Sequence, residues 1–240
     1  MRQFDVFVLE DSNESTPWTP PFNDPALGWF LVHDWNQKLN ELDAEWIVFA
    51  HRSVIIDRDF LNQLAEVNDD FPMVDAIAPQ VKTNGSFAGG LLLSKKEGLT
   101  KADSSTGLRF VAAPHPSIGV FSRRIIQRTG LFDLDLPPEL QLADYALRMS
   151  HAGGKMFYVP YLTALASSST FNHELKDDSD ALWQVIYKNL PLANLLRFTL
   201  SHISTTPLWL KTKALKNKRD KATDLSKMTA KYIKEISSQQ

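Results

Sequence analysis

The chain predicts an α/β protein, a sheet with helices on both faces, on three observations. Short apolar runs rich in β-branched and aromatic residues recur along it: FDVFVL, EWIVFA and MVDAIAPQV. Between them lie segments with apolar residues at helical spacing, so strand and helix patterns alternate. Its 240 residues, 43% hydrophobic and 22% charged, suit one sizeable domain with an appendage rather than two independent cores.

Taken in order, Phe4–Leu9 reads as a buried strand that delivers Glu10 and Asp11 to its C-terminal end. Residues 12–25, rich in Ser, Thr, Pro, Asn and Asp, form a loop. Ala26–Leu42 carries Leu27, Phe30, Leu31, Trp35 and Leu39 at helical spacing and predicts a helix. A second buried strand covers Glu45–Ala50 and runs into His51-Arg52-Ser53. Asp57–Val67 is helical, with Phe60, Leu61 and Leu64 on one face, and Met73–Val81 is a third strand. Residues 82–109, with Asn84-Gly85 and Gly89-Gly90, make a turn-rich excursion.

Val111–Phe121 reads as strand, with Pro114 and Pro116 confining part of it to an edge or bend. A short helix over Ser122–Thr129 stops at Gly130. A longer one over Leu140–Ala152 is capped by Gly153-Gly154, and a strand over Lys155–Val159 follows. From Asp180 the pattern is helical, broken at Pro191 and Pro207. The domain is expected over residues 1–178, with a helical, basic extension over 179–240.

Composition narrows the function classes. The absence of cysteine excludes disulfides, thiolate metal sites and a cysteine nucleophile. No signal-peptide layout opens the chain, and no apolar run reaches the ~18–20 residues of a membrane span, which predicts a cytoplasmic protein. Between Lys211 and Lys234 nine basic residues face two acidic ones. Such a stretch suits an anionic surface; the inner membrane face is the partner expected, and nucleic acid is not. A solvated, partly helical tail accounts for it equally well.

Ligands of open α/β sheets bind beyond the carboxyl ends of strands. Three polar strand ends therefore stand out: Glu10-Asp11, His51-Arg52-Ser53 and the loop through His115. No Gly-rich phosphate loop accompanies them, which disfavours other nucleotide-binding α/β classes.

Several blocks, in order, resemble one known family. The run Trp46–Leu61 (WIVFAHRSVIIDRDFL) resembles the strand and following helix of family 2 glycosyltransferases with the GT-A fold, where an Asp-x-Asp motif ends the strand. Ile118–Asp133 (IGVFSRRIIQRTGLFD) resembles the family segment that closes on Gly-x-Phe-Asp. Asp144–Lys155 (DYALRMSHAGGK) is similar to the acidic helix E-D-x-D-L-x-x-R-x-x-x-x-G. His173, with Tyr187-Lys-Asn189 after it, looks like a downstream segment of some bacterial members.

The resemblance covers roughly residues 4–197. It implies a GT-A-type, Rossmann-like mixed sheet flanked by helices. It further implies transfer of a sugar from a nucleotide-diphosphate donor to a glycan or lipid-linked acceptor, in surface polysaccharide synthesis.

By resemblance, Glu10 and Asp11 hold the nucleoside and Asp34 assists. The diphosphate is normally met by Mg²⁺ or Mn²⁺, for which His51, Ser53 and His173 are the available ligands. Ser53, however, stands where the family has an acid. Arg52 is an alternative, since a guanidinium binds phosphate bidentately, and His115 lies on the same predicted edge.

Asp144 is the candidate general base, although alignment on Arg148 puts the usual base positions at Gln141 and Leu142. Either the helix is offset so that Asp144 reaches the acceptor, or the base is missing; Asp133 and Asp135 are nearby alternatives. The front end is also open. Either the chain starts at the family's second strand, or Phe4–Leu9 is the first and residues 12–25 replace a helix and strand. A non-catalytic GT-A-like binding or scaffold domain is the competing expectation.

Overall fold

The computed structural model describes residues 2–10, 17–83, 86–94, 98–101, 107–166 and 180–190. Asp11, His173 and the basic stretch 211–234 lie outside them, as do the breaks expected at Pro191 and Pro207.

The strands are β1 (Phe4–Leu9), β2 (Leu27–Val32), β3 (Trp46–His51), β4 (Val54–Ile55), β5 (Ala76–Thr83), β6 (Ser86–Ala88), β7 (Leu91–Ser94), β8 (Gly98–Lys101), β9 (Arg109–Val111), β10 (Ile118–Ser122) and β11 (Met156–Ala166). The helices are α1 (Arg58–Asp70), α2 (Arg123–Thr129), α3 (Pro138–His151) and α4 (Asp180–Asn189), with one 3-10 turn at Leu39–Glu41.

Among the described residues, one mixed sheet runs in the order β2-β1-β3-β10-β5-β11-β4, with β6 beside β5 and β9 beside β11. β1, β2 and β3 are parallel, and β10 is antiparallel to both β3 and β5. β11 pairs parallel with β5 through two stretches whose register shifts between Val159 and Thr163, where Pro160 removes a ladder donor. β7 and β8 form a small hairpin within the excursion expected at 82–109.

Side chains alternate across these strands as the pleat requires. Phe7, Leu9, Ile47 and Phe49 face a core closed by α2, α3 and α4, whereas Phe4, Val6, Val8, Trp46 and Val48 face one closed by α1. Helices therefore cover both faces. α1 starts at Asp57, whose carboxylate accepts from the Phe60 N–H at 2.8 Å. Ser122 caps α2 through its hydroxyl at 3.4 Å, and α2 ends at Gly130, where φ is 84°.

Two expectations need correction. The helix expected over 26–42 is a strand for its first part, β2, pairing residue by residue with β1. Both faces of β2 are covered: Phe30 packs on Phe7 with ring centroids 5.0 Å apart, while Trp29 meets Phe22 at 5.5 Å and Trp18 at 6.0 Å. A strand apolar on both faces has no period to distinguish it from a buried helix. The strand expected over 111–121 is two, β9 and β10, separated by a turn through His115 and Ser117. α4, at the start of the expected extension, packs on the domain: Leu182, Val185, Ile186 and Tyr187 join the core that α3 closes.

β1 lies between β2 and β3, and the described part of the connection to β2, residues 17–26, holds no helix.

Candidate functional site

The strand order 2-1-3 makes the β1/β3 boundary the point where successive connections leave in opposite directions. Such a switch point opens a crevice at the carboxyl ends of the strands. Glu10 follows β1, His33 follows β2, and Arg52 follows β3, so all three reach the same edge.

Glu10 sits between the other two. One carboxylate oxygen lies 3.4 Å from an Arg52 terminal nitrogen and the other 3.2 Å from His33 Nδ1. The backbones are fixed as well: the Glu10 N–H donates to Val32 at 2.9 Å and the Arg52 N–H to Leu9 at 3.1 Å. The Arg52 side chain is 10% exposed, so most of it is sunk into the boundary. His33 carries most of the cluster's exposure. The sequence does not mark His33, because the apolar spacing of Leu27, Phe30 and Leu31 suits a helix as well as the strand β2 that ends before it.

A second turn borders the cluster. The His51 N–H donates to the Ser117 carbonyl at 2.8 Å, and His115 Nδ1 lies 2.7 Å from Ser117 Oγ. Ser117 also donates its backbone N–H to that nitrogen at 3.2 Å, so the neutral ring carries its proton on Nε2. His115 is thus brought next to the end of β3. Asp34 has a local duty: its Oδ1 accepts from the Asn36 and Gln37 N–H groups at 2.8 and 3.1 Å. It shapes the loop after β2.

That loop contains a residue the sequence did not single out. Asn36 donates from Nδ2 to the Phe132 carbonyl at 3.0 Å and accepts from the Phe132 N–H at 2.7 Å. The pair copies a strand contact with one side chain. It ties the loop to the Gly-x-Phe-Asp segment, where Phe132 stacks on Tyr145 at 3.9 Å and meets Phe49 at 5.0 Å.

The residues at the end of β3 do not fit a hard divalent cation. His51 is buried at 6% exposure, and the Ser53 hydroxyl is buried without a hydrogen-bond partner among the described residues. Between them, Arg52 would repel a dication. Nor do the described residues contain a group of three or more His, Asp or Glu placed to hold a metal.

Asp144, expected as the base, is fully buried. Arg148 Nε lies 2.7 Å from its carboxylate, Lys188 Nζ 3.2 Å, and Asn189 Nδ2 donates to it at 2.8 Å. These contacts join α3 to α4 and leave the carboxylate facing no solvent. Lys188 also bridges to Asp133 at 2.6 Å. Burial pushes the Asp133 carboxyl up, but the Lys188 hydrogen bond and charge, the Asp135 N–H and the Arg148 charge outweigh it and hold it below the usual carboxylate range.

Burial similarly lowers His151, against the Asn189 contacts and the Asp144 charge. At the usual base positions, Leu142 is buried in the core and Gln141 donates to the Leu136 carbonyl at 2.7 Å. Asp135 is exposed on the same loop.

The fold is that of the GT-A glycosyltransferases. It superposes on GalNAc-T7, solved with UDP, GalNAc and Mn²⁺, at a TM-score of 0.56 and 10% identity, covering 92% of this chain and 54% of that one. It also superposes on residues 1–349 of Staphylococcus aureus TarS, solved with UDP-GlcNAc, at a TM-score of 0.51 and 13% identity, covering 89% of this chain and 76% of that one. The chain thus spans about half the length of the GalNAc-T7 chain. No family model and no curated protein sequence matches it.

Proposed function

We propose that the protein is a nucleotide-sugar-dependent glycosyltransferase whose donor sits at the carboxyl edge of β1, β2 and β3. The observation that carries this reading is the Glu10–Arg52 contact across the β1/β3 boundary, where this topology places its crevice. The two superposed GT-A proteins were solved with UDP or a UDP sugar, which supports a nucleotide diphosphate as the ligand class. Glu10 and His33 line the nucleoside side, and Arg52 and His115 the diphosphate and sugar side; Asp11 would extend the acidic end of β1. The acceptor is a glycan or a lipid-linked sugar of surface polysaccharide synthesis, and the basic stretch 211–234 brings the protein to the inner membrane face where such acceptors lie.

Transfer breaks the bond between the anomeric carbon and the diphosphate, and the acceptor hydroxyl gives up its proton as its oxygen bonds to that carbon. Asp144 is buried against Arg148, Lys188 and Asn189, which argues against it as the group that takes that proton. A second reading, a non-catalytic donor-binding domain, draws on this and on Leu142 at the usual base position. Calorimetry with UDP, GDP, CDP, ADP and dTDP, followed by release of nucleoside diphosphate from the matching sugars, tests both. Binding with turnover supports the enzyme, binding without turnover the second reading, and no binding sinks the donor site.

A further inference from the structure

Four residues line up across the carboxyl edge of the sheet. Phe87 on β6 pairs with Lys82 on β5, Lys82 with Leu165 on β11, and Leu165 with Ile55 on β4. Directly paired residues project from the same face of a sheet, so the four side chains form one row about 14 Å long, three strand spacings. Their neighbours Val81, Ala164 and Val54 project the other way and are buried in the core that α1 closes. The row itself faces outward: Phe87 is 48% exposed, Leu165 41% and Ile55 53%. Lys82 is exposed among them, its ammonium 5.6 Å from the centre of the Phe87 ring. Register thus gathers three large apolar side chains and one cation into a strip, where scattered surface hydrophobics would stand singly.

Charge names the partner. The row stands at the root of segment 82–109, which carries five basic residues against two acidic ones. Stretch 211–234 carries nine against two, and the rest of the chain twelve against twenty-four. Positive charge is therefore concentrated in two stretches of an otherwise acidic chain, and both suit an anionic surface. The aliphatic Leu165 and Ile55 offer a nucleic acid neither a hydrogen bond nor a stacking face, and they select lipid. We propose that the row is a membrane-contact surface of the folded domain, laid on an anionic bilayer. Phe87, Leu165 and Ile55 enter the interface while the Lys82 ammonium reaches the phosphates. Stable attachment takes two signals; the row supplies one and the basic stretch 211–234 the other. This contact does not depend on the donor reading. β3 and β5 both run antiparallel to β10, so the row lies on the same edge as the proposed donor site and turns that edge toward the membrane.

The test uses the full chain and vesicles of phosphatidylcholine with and without about 30% phosphatidylglycerol. The chain has no cysteine, so Phe87→Cys, Leu165→Cys and, on α1, Asn62→Cys can each carry a single environment-sensitive fluorophore. With anionic vesicles the labels at positions 87 and 165 should shift to the blue, and the label at position 62, behind the opposite face of the sheet, should not. Phe87→Ser combined with Leu165→Ser should bind these vesicles about tenfold more weakly than wild type, and Lys82→Glu should lose more binding to anionic than to neutral vesicles. Vesicle binding without a shift at positions 87 and 165, and undiminished in the Ser variant, overturns the inference and leaves the contact through 211–234 standing. No binding by wild type overturns both contacts, while nucleotide calorimetry still judges the donor site alone. A dimer in light scattering that the Ser variant dissociates overturns it in favour of self-association. Should the Ser variant not fold, the label positions decide.

Discussion

Asp144 is buried and ringed by Arg148, Lys188 and Asn189, so replacing it with Asn leaves two cations beside a neutral amide. Both cations keep some solvent contact, which softens the loss; about 2–3 kcal/mol of stability should disappear, read from urea unfolding. An Asn variant as stable as wild type would show that the ion pairs do not hold the helices together. Asp133 is sensitive to pH. Its folded pKa lies below the unfolded value of about 3.9, so its contribution is present above about pH 4 and fades as pH falls through the folded value. Asp133→Asn should accordingly lose less stability than wild type between pH 5 and 2.5, measured by unfolding at each pH. At this scale the sequence was partly legible: the Asp144–Arg148 spacing marks a helical ion pair. Nothing in it couples Asp144 to Lys188, because that meeting depends on how α4 docks.

At the level of elements, the Gly-x-Phe-Asp segment is held at both ends. Gly130 has a backbone conformation closed to residues with a Cβ, φ 84° with ψ −149°, although a Cβ there would touch nothing. Gly130→Ala should thus cost about 1–3 kcal/mol through strain alone, seen as a lower melting temperature. Asn36→Ala removes both bonds to Phe132, and about 1–3 kcal/mol should go with them. If nucleotide is present, the same variant should also weaken its binding, because the loop after β2 carries His33. β1, β3, β5 and the helices α1 to α3 were legible because their apolar runs end at acidic, Pro, Gly or capping residues. β2 was not: its two-sided burial removes the alternation that identifies a strand, and with it went His33. The β9–β10 split was hidden for a similar reason, since an apolar stretch around Pro114 and Pro116 reads as one run.

For the whole molecule, a sheet with helices on both faces followed from the alternation of patterns, whereas the strand order and the depth at which α4 joins the core did not. Among the described residues no helix is long and apolar enough to cross a membrane. The membrane contact of the proposed function rests on the basic stretch, and deleting 211–234 should abolish co-sedimentation with anionic vesicles. Wild-type binding should weaken between 0.1 M and 1 M salt, as the screening length drops from about 10 to 3 Å. The α3–α4 junction also bears on how the chain is made. Synthesis is vectorial, and domains fold as their residues emerge. Asp144 leaves the ribosome 44 residues before Lys188, and for that interval its buried site lacks one of its two counter-ions. The nascent chain can pair its early strands, but it cannot close the face of α3 until position 190 is free. A stalled chain ending near residue 178 would be a protease-sensitive intermediate, and completion of α4 is the step that seals it.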